Sequence, residues 1–121
     1  MVQKHHHSSK NYYFGVAAEK VASIYLFLKG YSILERRHKT PFGEIDIIAK
    51  KGQILLIVEV KARSSNLNIE EVLTWNQINR IKKAAQFFIS LNPQFQSHDV
   101  RFDFIAISRF FWPKHHKNFI S

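Results

Sequence analysis

The sequence predicts an α/β sandwich, a mixed β-sheet with helices on its faces. Apolar residues recur at helical spacing in two stretches, within 15–29 and 74–92. Four other stretches are rich in Ile, Leu, Val and Phe, and alternate or run apolar as strands do. Their order is helix, strand, strand, strand, helix, strand, which layers helices against a sheet. At 121 residues and 45% hydrophobic, the chain suits one domain with its own core. That domain is expected over 13–121, behind a flexible polar segment, 1–12, that contains His5, His6 and His7.

The first helix is expected from Gly15 to Lys29. Ala17, Val21, Ile24, Tyr25 and Leu28 form its apolar stripe, and Gly30 is placed to cap its C-terminus. Ala22 and Leu26 make another side apolar, so burial on more than one side is expected. A strand from Tyr31 to Arg37 leads to the turn Thr40-Pro41-Phe42-Gly43. Strands Glu44–Ala49 and Gln53–Lys61 follow, joined by a tight turn around Lys51-Gly52, where Gly52 supplies the positive φ. Residues 62–68 read as a polar loop. Thr74 opens the second helix, with Gln77 at capping-box spacing, and Pro93 closes the helical region. Trp75, Ile78, Ile81, Ala85 and Phe88 share its expected core face. Val100 to Ile107 alternates as a strand, with Arg101 and Asp103 on one face as a pair.

Charge narrows the function. Eighteen Lys and Arg against nine Asp and Glu give a net charge of +9, which points to a polyanionic partner. The cations are spread over several elements rather than gathered on one amphipathic helix, which favours nucleic acid over a membrane surface. Arg63, Arg80, Lys82, Lys83 and the tail from Lys114 to Lys117 are the candidates to meet phosphates. The absence of cysteine excludes a disulfide scaffold, a thiolate zinc finger and a thiol nucleophile. No apolar run approaches the ~20 residues of a membrane-spanning helix, and no signal-peptide stretch opens the chain, so the cytoplasm is the expected compartment.

The acidic residues are few and clustered in pattern. Glu44 and Asp46 stand at i and i+2 on one strand, and Glu59 and Lys61 do so on the next. With a turn centred on Lys51-Gly52, Lys50 pairs with Gln53, Asp46 faces Ile57 and Glu44 faces Glu59. All four charged residues then converge on one side of the hairpin. Carboxylates so close need a counter-charge. Lys61 offsets one, and a hard divalent ion such as Mg²⁺ or Mn²⁺ offsets more. In a basic protein that ion would serve phosphodiester hydrolysis, with Lys61 orienting the water or stabilising developing charge. The residues alone leave this open against ordinary ion pairs on a solvated strand face.

Gly43-Glu44-Ile45-Asp46-Ile47-Ile48-Ala49 followed by Ile57-Val58-Glu59-Val60-Lys61-Ala62-Arg63 resembles the YraN-like family of the PD-(D/E)XK nuclease superfamily, alongside archaeal Holliday-junction resolvases. The helix with Glu19, the segment 80–85, the strand 100–105 and the closing segment 115–119 resemble the same family. The resemblance implies a restriction-endonuclease-like core, a mixed β-sheet flanked by helices. It also implies a metal-dependent nuclease acting on branched or single-stranded DNA. Asp46 and Glu59 match the two motif acids, Val60 the residue that lends its carbonyl to the metal, Lys61 the motif lysine, and Glu19 the extra acid of the resolvase-like branch. Glu44 and Gln77 are accessory candidates. Ile45 stands where the superfamily's name has proline, and Gln77 where the family usually has lysine. Resolvases of this kind work as symmetric homodimers. The rival reading is a nucleic-acid-binding module that keeps the fold and does not cut.

Overall fold

The computed structural model describes residues 2–62 and 73–120, with side chains from residue 14 onward. Arg63 and the rest of the loop expected over 62–68, apart from Ala62, lie outside the described residues, as do the His5–His7 side chains. One five-stranded sheet runs in the order β1 (Ser32–Thr40), β2 (Gly43–Lys51), β3 (Ile54–Ala62), β4 (Asp99–Ile107) and β5 (Pro113–His116). β3 and β4 are parallel; every other neighbouring pair is antiparallel. Helices α1 (Val2–Leu28) and α2 (Trp75–Leu91) cover opposite faces, giving the mixed-sheet α/β sandwich that the element order predicts.

Two cores follow from this layering. Ala18, Ala22 and Leu26 of α1 pack with Ile47, Ala49, Leu56, Val58, Val60, Ile105 and Ile107. Ile81, Ala84, Ala85 and Phe88 of α2 pack with Ile48, Leu55, Ile57, Phe104 and Ala106. β3 is apolar almost throughout because both of its faces are covered, and Leu55, Leu56, Ile57 and Val58 are all buried.

Gly30 takes φ +95°, and the amides of Gly30 and Tyr31 close back on the Phe27 and Leu26 carbonyls, so the expected C-terminal cap forms. The Thr74 hydroxyl caps α2 by accepting from the Gln77 amide at 3.3 Å.

Several expectations need correction. α1 begins at Val2, not Gly15, so the backbone of the polar N-terminal segment is helical; no Gly or Pro between Val2 and Phe14 interrupts it. The helix buries the stripe Ala18, Ala22 and Leu26, while Ile24, Phe27 and Leu28 are exposed. Both stripes are apolar, and small alanines let the helix sit close to the sheet, so periodicity could not choose between them. Trp75 is 73% exposed, not part of the core face. It is the first residue of α2 and lines a surface cleft with Phe42 of the β1–β2 turn. The β2–β3 turn is centred on Gly52-Gln53, with Lys51 paired to Ile54 and Gly52 at φ +59°. Glycine at the first of two turn positions is the demand of a type II′ hairpin. The tail carries a short strand, β5, that alternation over four residues was too brief to reveal.

Candidate functional site

The shifted turn moves every pairing by two residues, so odd and even positions keep their faces. The ladder pairs Ile47 with Val58. One step further along that register sets Asp46 opposite Glu59, where the sequence-level register set it opposite Ile57. Strict alternation then breaks. Ile45 packs on the α2 side and Ile47 on the α1 side, although they are two residues apart on one strand. On β1 the residue between their partners Arg36 and His38 is Arg37, whose φ is +54°. A non-glycine residue in this left-handed conformation marks a local kink. Asp46 sits at that kink, and its Oδ2 accepts the Val60 amide at 2.7 Å. The carboxylate thereby satisfies a β3 donor beyond the last backbone pair of this ladder.

Glu59 is 7% exposed and lies within hydrogen-bonding reach of the Asp46 carboxyl group. Burial first, then the charge and hydrogen bond of Asp46, push its pKa up to about 8, against the opposing pull of Lys61 and Arg80. Arg80 bridges this site to α2. Its Nη2 donates to Glu59 Oε2 at 2.9 Å and its Nη1 to the Glu44 carbonyl at 3.1 Å. Gly43, at φ +115°, lies under the guanidinium; a Cβ there would stand 2.6 Å from Nη1. Glu19 reaches the same region from α1. Its pKa is raised by burial and by the charges of Asp46 and Glu44, while Arg37 Nε at 2.8 Å opposes the shift.

The structure therefore gathers Asp46, Glu59, Val60 and Arg80, with Lys61 close enough to act on Glu59 electrostatically. Glu19 stands nearby but is paired with Arg37, and the Glu44 side chain is exposed. Among the described residues, no three carboxylates or imidazoles lie close enough to ligate one ion. The basic candidates on α2 divide. Lys83 shares a cleft with Arg80, whereas Lys82 lies beside Val100 and Phe102 at the start of β4. Gln77 makes only half of the capping box, since its Oε1 is buried without a partner among the described residues.

A second polar cluster had only one signal in the sequence, the Arg101–Asp103 spacing. Asp103 is fully buried and takes two hydrogen bonds from Arg101, at 2.9 and 2.8 Å, as that spacing predicts. It also accepts His115 Nε2 at 2.7 Å and the Asn118 amide at 2.9 Å. The other ring nitrogen, Nδ1, lies 3.0 Å from the Tyr25 hydroxyl of α1. Burial alone would raise the Asp103 pKa; the bonds from His115, Arg101 and Asn118 outweigh it and lower it. This cluster ties β5 and the closing segment to β4 and α1.

No helix among the described residues is long and apolar enough to cross a membrane. Residues 18–107 match the model of the uncharacterised protein family UPF0102. A UPF0102 protein of Bartonella tribocorum is 46% identical over 106 residues, covering 88% of this chain and 82% of that protein. One from Mesorhizobium japonicum is 41% identical over 109 residues, covering 90% and 87%. One from Nitrobacter winogradskyi is 44% identical over 101 residues, covering 84% and 86%. The match takes in α1 from Ala18, the β2–β3 hairpin, α2 and β4, which hold every described residue of the acidic site. On that coverage and identity, the chain belongs to the UPF0102, or YraN-like, family.

Proposed function

We propose that this protein is a metal-dependent, nuclease-like protein that hydrolyses phosphodiester bonds in branched or single-stranded DNA, in the cytoplasm. The observation that carries the reading is the Asp46–Glu59 pair. Two carboxyl groups within hydrogen-bonding reach, one of them buried and raised to about 8, form a site that favours an added positive charge. The donor set is hard oxygen, which suits Mg²⁺ or Mn²⁺. Asp46 and Glu59 would hold the ion, with Glu19 reaching it through water and the Val60 carbonyl as a further donor. Such an ion, when bound, supplies Lewis acidity toward water and the phosphate.

The chain's own groups prepare the site. The Val60 amide fixes the orientation of the Asp46 carboxylate through Oδ2. Burial of Glu59 removes competing water, which strengthens every charge interaction around it. Lys61 places an ammonium group beside the carboxylates, where it can donate to a water oxygen or a phosphate oxygen. Arg80 already binds Glu59, so a cation arriving there would free its guanidinium for a phosphate. Two cuts across a junction would take two copies of the chain, as the resolvase resemblance implies.

One observation favours the non-cleaving rival. Glu59 is already offset by Arg80, and Glu19 by Arg37, so both acids have a partner without a metal. The test is incubation of the purified protein with labelled duplex, single-stranded, flap and four-way-junction DNA in Mg²⁺, Mn²⁺ or EDTA. Metal-dependent cleavage supports the nuclease. Binding without cleavage in either metal supports the rival.

A further inference from the structure

We propose that the cleft between the β1–β2 turn and α2 receives an unpaired nucleotide, its base stacked on Trp75 and Phe42, next to the acidic site. This inference rests on the nucleic-acid reading above and specifies which part of the strand the protein holds. The cleft has a volume of about 450 Å³, within the range of small-ligand sites. Phe42, Trp75, Asn76, Asn79, Arg80 and Lys83 line it.

Its composition separates into the three groups that a nucleotide presents. Trp75 and Phe42 offer aromatic faces, 73% and 42% exposed. Large aromatics left in water at the mouth of a cleft mark a contact surface, and every base has a face that can stack on them. Asn76 and Asn79 offer amides, which both donate to and accept from base edges. Arg80 and Lys83 offer cations for phosphate. Positions 76, 79, 80 and 83 fall on one helical stripe, so α2 presents the amides and cations together along the cleft.

The walls are held in place. The Phe42 ring meets Phe87 edge-on at 6.4 Å, and the Phe42 amide donates to the Thr40 hydroxyl at 3.1 Å. Gly43 leaves the space that Arg80 fills. Arg80 also fixes the cleft's position relative to the acidic site, because the guanidinium that lines the cleft bonds Glu59 at 2.9 Å. A phosphate reaching Arg80 therefore lies one side chain from the carboxylates, with its base on the aromatic side. A paired base cannot offer its face to Trp75 while stacked in a duplex, so the cleft selects single strands, flaps and junction arms.

The chain has two tryptophans, which makes the test direct. In full-length Trp112→Phe protein, Trp75 is the remaining tryptophan, and its emission is followed during titration with oligothymidylate and with blunt duplex. The expected result is quenching by oligothymidylate and little change with duplex. In parallel, Trp75→Ala should weaken oligothymidylate binding about ten-fold or more while changing duplex affinity less than about two-fold, the scale for losing one stacked base. Trp75→Phe should restore most of the loss. Oligothymidylate binding with Trp75 emission unchanged, or equal loss of both substrates in Trp75→Ala, overturns the cleft and leaves the nuclease reading standing. Absence of any salt-dependent nucleic-acid binding overturns both. Quenching without cleavage supports the cleft and overturns hydrolysis alone.

Discussion

Asp46 and Glu59 show how far single residues could be read. Their types and spacing on a basic chain single them out; the two-residue shift in pairing leaves strand parity intact as far as Ile47, and the kink then breaks it at Asp46. The kink at Arg37 and Asp46 was not legible, since a left-handed φ at arginine leaves no compositional mark. Nor was the Arg80–Glu59 bond, which joins residues 21 apart through tertiary packing. The raised pKa of Glu59 has a thermodynamic consequence. A carboxyl group whose folded value lies above its unfolded value favours folding while protonated; that contribution is complete below 4.5 and disappears as pH climbs through about 8. Without added metal, the melting temperature should therefore fall across this window. Glu59→Gln should flatten the fall, and parallel melting profiles for the two proteins would contradict the assignment. Mg²⁺ should stabilise wild type more at the upper end of the window than at the lower, because the ion needs ionised carboxylates. If cleavage occurs, Lys61→Ala should slow it roughly a hundred-fold, the scale for one electrostatic contact to the transition state.

The elements were legible in type and order, less so in their edges and faces. α1 carries two apolar stripes, and only the sheet beneath it decides that Ala18, Ala22 and Leu26 turn inward. β5 is four residues long, and its anchoring depends on His115 meeting Asp103, a contact that local sequence does not encode. Removing the Asp103 charge should leave Arg101 without its bidentate partner and β5 without its anchor. Asp103→Asn is expected to cost about 3 kcal/mol in a denaturant titration, the scale for breaking a buried pair. The wild-type contribution should fade on acidification, because a lowered folded pKa stabilises above the unfolded value and is lost as pH falls through the folded one. His115→Ala should cost less, since Arg101 and the Asn118 amide still serve the carboxylate. Equal stability of wild type and Asp103→Asn at neutral pH would show that the cluster does not hold the tail.

For the whole molecule, the alternation of helical and strand periods was enough to give the layers, since each apolar face must find another. The net charge of +9 was enough to propose a polyanion. It could not show how the cations divide, with Arg80 on Glu59, Lys83 in the cleft that Arg80 also lines, and Lys82 near the start of β4. Affinity for DNA should fall with added salt at a log–log slope of about −0.9 per neutralised duplex phosphate and about −0.7 per single-strand phosphate, and Lys83→Ala should flatten the single-strand slope by about one contact. Salt-insensitive binding would contradict an electrostatic interface. The central claim is that Asp46 and Glu59 form a metal-dependent phosphodiesterase site. Its most direct test compares cleavage of a labelled four-way junction by wild type, Asp46→Asn and Glu59→Gln, with Mg²⁺ and with EDTA. Cleavage is expected from wild type in Mg²⁺ alone, and from neither variant, although both still bind the junction. Equal cleavage by wild type and Asp46→Asn, or none by wild type that binds, would contradict it.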